Sequence, residues 1–146
     1  MIKLGKLTDY AVTVLGEIAR MDDKAASAHA LAGKTGLPEP TVAKVLKACA
    51  QGGLIVSQRG ANGGYSLAKT AAEISIADII TAMEGPIAIV SCVDGSPELC
   101  RVDATCCMKG RWEKVNRAIK GALEDVSLSD MAESAHIVGF AEMKQA

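Results

Sequence analysis

Aromatic residues are nearly missing from this chain: Tyr10, Tyr65, Trp112 and Phe140 are all it has in 146 positions. A core built almost without rings must be aliphatic, and Ala, Leu, Ile, Val and Met at helical spacing are the expected filling, which points to a mainly helical protein. Long apolar runs are missing too. None approaches the roughly 20 residues a membrane-crossing helix needs, and the opening MIKLGKLTDYAV has neither the apolar stretch nor the cleavage site of a signal peptide. A cytoplasmic protein is the expectation. Only two histidines occur, His29 and His136, and neither lies near a nucleophile pattern or a metal motif. The segment GANGG lacks the Lys-Ser/Thr that completes a phosphate loop. No catalytic constellation is visible, and an enzyme is the least supported class.

An excess of either charge is also lacking, since 16 Lys/Arg against 17 Asp/Glu leave a net charge of −1. The average hides a division. Residues 1–70 carry nine Lys/Arg and five Asp/Glu, a balance of +4, whereas residues 71–146 carry seven and twelve, a balance of −5. A basic N-terminal half suits contact with a polyanion, leaving the acidic half another task.

What is present begins with helical periodicity. Thr8 is placed to cap a helix over 8–21 with Tyr10, Ala11, Val14, Leu15, Ile18 and Ala19 on one face. Ser27 and Gly36 bracket a short second helix, and a third fits 40–51, with Pro40 in its first turn and Gly52 and Gly53 ending it. Two short helices joined by a tight turn form a helix-turn-helix pattern. A strand over 54–58, a glycine-rich turn over 59–64 and a returning strand over 65–68 then read as a hairpin, the wing of a winged helix. Ser75 and Asp78 form a capping-box pair ahead of Ile76, Ile79, Ile80 and Met83, with Gly85-Pro86 as the stop. The segment 87–93 reads as extended. From about residue 105, Met108, Trp112, Val115, Ile119, Leu123 and Val126 make a near-heptad stripe, the mark of a long helix expected to pack on a partner helix of a second chain. No cap or stripe marks 131–146, which reads as a loosely held tail.

Four of the five cysteines fall together, Cys92, Cys100, Cys106 and Cys107, in CVDGSPELCRVDATCC. In a reducing compartment such crowding points to soft-metal ligation or thiol sensing rather than structural disulfides. The spacings match neither paired zinc-ribbon cysteines nor ferredoxin runs. A cluster on Cys92, Cys100 and Cys106 needs a fourth ligand, with Cys107, an outside carboxylate such as Asp9, or a backbone atom as candidates. Unliganded redox thiols are the competing account. Cys49, on the inner face of the third helix, reads as a small buried apolar residue.

On that third helix Val42, Val45, Leu46 and Cys49 face inward, leaving Thr41, Lys44 and Lys47 outward. Lysines there suit phosphates, and Thr41 suits a base edge. In the wing, Arg59, Gly60 and Asn62 are the candidate contacts, Arg59 supplying the cation that a narrow minor groove attracts. An amphipathic surface helix and a plain hairpin turn are the bland alternatives.

The phrases LTDYAV, LPEPTVAKVLK, RGANGGYSLAK and ISIADIITAMEGPIA, with the three-cysteine loop, resemble the dimeric winged-helix regulators that include IscR and NsrR, the Rrf2 family. The likeness spans roughly residues 1–128 and is greatest to regulators of SUF iron-sulfur assembly. The resemblance implies a winged-helix domain, a dimerisation helix beginning near Cys106, and a cluster held by Cys92, Cys100 and Cys106. IscR-like members carry a histidine three residues after the third cysteine, where this chain has Lys109. NsrR-like members use instead an aspartate from the first helix of the partner subunit, a place matched by Asp9 of the partner subunit. IscR-like members also carry a recognition-helix glutamate where Ala43 stands.

The combined expectation is a mainly α protein with a small β wing, a winged helix-turn-helix DNA-binding domain plus a long dimerisation helix. Its divisions are 1–86 for the winged helix, 87–107 for the cluster loop, 108–130 for the dimerisation helix and 131–146 for the tail. The expected function is a homodimeric repressor binding double-stranded operator DNA, reading iron-sulfur status through a [2Fe-2S] or, second, a [4Fe-4S] cluster, and controlling assembly genes. The alternatives are a thiol redox or nitric-oxide sensing regulator with zinc or no metal, and an iron-sulfur carrier.

Overall fold

Helix α1, Lys6–Ala19, buries Ala11, Val14, Leu15 and Ile18 at three-four spacing, the stripe its sequence calls for. The computed structural model describes residues 2–21 and 24–133; His136, Phe140 and nearly all of the expected tail lie outside the described residues. Thr8 does not cap α1. The N-cap is Gly5, and the acceptor comes from far along the chain, where Glu84 accepts from Gly5 N–H at 2.8 Å and from the Thr8 hydroxyl. A carboxylate at a helix N-terminus satisfies orphan donors and suits the helix dipole, so Thr8 is buried inside the first turn.

Helix α2, Ala28–Thr35, is capped by Ser27, whose hydroxyl accepts from Ala30 N–H at 3.1 Å, and Gly36 ends it at φ 73°. Helix α3, Glu39–Gln51, has proline in its first turn and buries Val42, Val45, Leu46 and Cys49. The wing pairs β1, Ile55–Gln58, with antiparallel β2, Gly64–Leu67, in the register Ile55 opposite Leu67 and Gln58 opposite Gly64. A 3₁₀ turn at Ala71–Glu73 leads to α4, Ile76–Glu84, closed at its start by the Ser75–Asp78 capping box. One aliphatic cluster joins α1 to α4, β1 and the 74–80 isoleucines.

Beyond α4 the chain departs from expectation in three places. Segment 87–93 forms no strand, and residues 105–111 are mostly turns rather than helix. The apolar stripe becomes regular helix only at α5, Trp112–Glu124, shorter than the expected 108–130. A final helix, α6, Leu128–Ala132, folds back onto α1 and buries Leu128 in the core. Backbone bonds Leu128 N–H to Ile74 O (2.7 Å) and Ile76 N–H to Val126 O (2.9 Å) fix that return. A further capping box, Ser127 with Asp130, starts α6; the pattern Ser-x-x-Asp was present in the sequence.

Candidate nucleic-acid interface and cysteine loop

The outward face of α3 follows from the inward one. With Val42, Val45, Leu46 and Cys49 all at 0% exposure, Lys44 and Lys47 stand in solvent and Thr41 is half-buried near the helix start. At the same end, Glu39 meets the ring Nδ1 of His29 on α2 at 3.0 Å, joining the two helices of the helix-turn-helix across their exposed side.

The wing tip is shaped by close backbone approaches. Gly63 N–H donates to Gly60 O at 2.9 Å, and a Cβ on Gly63 would stand 2.5 Å from Gln58 O. Gly64, at φ 152°, lies against Ala26 so closely that a Cβ would meet its backbone at 2.6 Å. The reason is an isolated bridge: Ala26 and Tyr65 exchange N–H···O bonds of 2.9 and 2.8 Å, docking the wing on the link between α1 and α2. Sequence reading missed this bridge, though the double glycine signalled a close approach. Arg59, Gly60 and Asn62 are all exposed at the tip, and Gly60 takes φ 115°.

The cysteine loop is built differently. Cys92, Cys100 and Cys106 are half-buried, Cys107 is exposed, and all are free thiols. Asp9 is exposed on the first turn of α1, beside an apolar groove lined by Leu4, Val12, Leu123, Val126 and Met131. Among the described residues, no three His, Cys, Asp or Glu side chains converge as a metal-holding group. The donor set itself fits a soft metal or an iron-sulfur cluster: three thiols on a segment of turns, free of helix or sheet bonds that would hold them apart. Within the loop Lys109 donates to Asp103 at 2.5 Å, a hydrogen bond and charge pair that raise the ammonium above its usual range. Cys49 is the chemical opposite of the loop thiols, since burial pushes its pKa from 9.0 to about 11 and keeps it protonated.

A helix-turn-helix whose second helix presents lysines and runs straight into a docked hairpin defines the winged-helix class of DNA-binding regulators. The chain belongs to the Rrf2 family, described as iron-dependent transcriptional regulators, which matches residues 4–134. It is 29% identical over 126 residues, 86% of this chain and 73% of the other, to an HTH-type transcriptional regulator of Mycobacterium tuberculosis H37Rv. Among solved structures it is similar to CymR, the global cysteine regulator of B. subtilis, at 28% identity and TM-score 0.71, over 90% of this chain and 97% of that one. It is also similar to IscR of T. potens, at 28% identity and TM-score 0.68, over 94% and 91%. The protein is therefore a transcriptional regulator of the Rrf2 family, mostly helical with a two-stranded wing.

Proposed function

We propose that this regulator is a homodimeric repressor that reads iron-sulfur status through a cluster carried on Cys92, Cys100 and Cys106 and controls cluster-assembly genes. The observation that carries the reading is the placement of three half-buried free thiols on a turn-built loop between the winged head and α5. The fourth ligand is Asp9 of the partner subunit or Cys107. When bound, the cluster would draw the thiolates together by iron-sulfur coordination and so order the loop. Dimerisation runs through the stripe that α5 and its flanking residues leave in solvent, where Met108, Trp112, Val115 and Val126 remain exposed although their spacing is that of a buried seam.

DNA contact belongs to the head. Lys44 and Lys47 neutralise phosphates, Thr41 reaches a base edge, and Arg59, Gly60 and Asn62 of the wing follow the adjacent minor groove. A dimer must set two α3 helices about one DNA turn apart, roughly 34 Å, so a small displacement at α5 changes affinity. The test is an anaerobic titration of cluster-loaded and metal-free protein against DNA upstream of assembly genes, with absorption spectra of the same samples. Loaded and free forms should differ in affinity; equal affinity removes the sensing role.

A second reading keeps the DNA contact and makes the loop a thiol sensor with zinc or no metal. It is favoured by the exposed Cys107 and by the likeness to a global cysteine regulator. Anaerobic protein lacking iron and acid-labile sulfide, with DNA affinity that falls on thiol oxidation, would select it.

A further inference from the structure

Asn116 is the sole buried residue of α5, 4% exposed, on a helix whose apolar Trp112 and Val115 stand in solvent. A buried amide is retained only where its donors and acceptor are used. Here both ends are used on the segment before the cysteine loop: the side-chain oxygen accepts from Ile89 N–H and the side-chain nitrogen donates to Ile87 O, each at 3.1 Å. One turn earlier on the same face of α5, Glu113 accepts from Asp94 N–H at 3.1 Å. The three bonds bracket Cys92, which follows Ile89 and precedes Asp94.

The other loop cysteines have no such tether. Ser96 bonds Glu98, Asp103 N–H reaches Cys100 O, Thr105 reaches Val102, and Lys109 reaches Asp103 and Cys106 O, so these bonds all stay inside the loop. We infer that Asn116 and Glu113 are positioning residues: they clamp the chain on both sides of Cys92 to α5, making Cys92 the fixed anchor toward which the other thiols move. A pull on Cys92 is then delivered to α5 through side-chain bonds rather than through the slack turns after Cys106. This transmission rests on the sensing reading above, whereas the clamp itself stands on the geometry.

The test uses the full chain with Asn116→Leu, Glu113→Ala and Glu113→Gln, the last retaining an acceptor for Asp94 N–H. First, iodoacetamide labelling of folded, metal-free protein is followed cysteine by cysteine by peptide mass spectrometry. Asn116→Leu and Glu113→Ala should speed labelling of Cys92 several-fold and leave Cys100 and Cys106 unchanged, and Glu113→Gln should match the parent. Cys92 labelling that is unchanged in both, or a general rise at every cysteine, overturns the clamp. Second, operator affinity is compared between loaded and metal-free forms by fluorescence anisotropy. The two disruptive variants should bring the ratio close to one while their metal-free affinity and loaded spectra stay those of the parent; a full parental ratio in both overturns the transmission. A ratio of one in the parent overturns the sensing reading, and the labelling arm alone then decides the clamp.

Discussion

Between residues 6 and 84 every α-helix sets an aliphatic face into one shared cluster, whereas between residues 86 and 111 the sole buried side chain is Val93, which lies outside that cluster. The head also closes its ends locally, by Ser27 and Gly36 on α2 and by the capping box on α4. The loop instead leaves Leu99 95% exposed and hangs its thiols on turns. Apolar residues are common to both regions. What separates them is how far the spacing lets those residues reach the shared cluster, and between residues 86 and 111 only the partly buried Ile87 packs against it. Between residues 86 and 111 side-chain hydrogen bonds from Asn116 and Glu113 of α5 take the place that aliphatic burial has in the head.

The most forceful way to break this contrast is to empty a site in each region. Leu46→Ala removes a fully buried side chain from the centre of α3 and should cost about 2–5 kcal/mol in urea unfolding. Leu99→Ala should stay within about 0.5 kcal/mol. Comparable losses at the two positions would mean that the loop carries part of the folding core after all.

Next in size are the effects on DNA. Arg59→Ala should weaken operator binding by roughly 1–3 kcal/mol if the wing reads its groove, and Lys47→Ala should weaken all sequences alike and lower the salt slope by about one. Lys109→Ala, in the loop, should alter neither in metal-free protein. Fluorescence anisotropy across a salt series separates these outcomes. A loop substitution that changed the salt slope would move part of the DNA contact out of the head.

Thiol chemistry sharpens the same division. In native, metal-free protein Cys92, Cys100, Cys106 and Cys107 should react with Ellman's reagent, while Cys49 should wait for unfolding. The Cys49 shift has a further consequence. Its folded pKa, about 11, lies above the 9.0 of an ordinary thiol, so above pH 9 the unfolded chain loses a proton that the folded one keeps, and stability falls as pH rises. Cys49→Ala should flatten that alkaline decline. Early labelling of Cys49 would show that α3 opens without global unfolding.

The head was largely legible because its signals are local. Ser27, Gly36, Pro40, Gly52 and the Ser75–Asp78 pair each act within about one helical turn, and the bounds of α2, α3 and α4 follow from them. Long-range substitutions for local signals were not legible: Glu84 taking over the capping role expected of Thr8, and Ala26 bridging to Tyr65 of the wing. The stripe from Met108 to Val126 misled in its length, because periodicity records which residues are apolar and not where the backbone bonds begin. The candidate contacts on α3 could be placed because their inward neighbours announce themselves as aliphatic. Asn116 could not, since an asparagine in an amphipathic stretch reads as surface until the carbonyl and amide it serves are seen.

The smallest expected effect concerns the point where the chain returns from α5 to the head. Ser127 and Asp130 are joined by three bonds, Ser127 N–H and hydroxyl donating to the carboxylate at 2.8 Å and Asp130 N–H donating back to the hydroxyl at 3.1 Å. The backbone and side-chain bonds from Ser127 hold the Asp130 pKa below its usual range. A carboxyl lowered on folding contributes stability that is present above its unfolded pKa and is lost as pH falls through the folded value. The window is therefore acidic, below about pH 4. Wild type should lose this contribution on acidification, whereas Asp130→Asn should show less of the acid decline and be the less stable of the two near neutral pH. The effect should be modest because the carboxylate is exposed. Thermal melts from pH 2 to 7 measure it, and parallel melting curves for the two proteins across that range would show that the Ser127–Asp130 box adds nothing to the stability of the head.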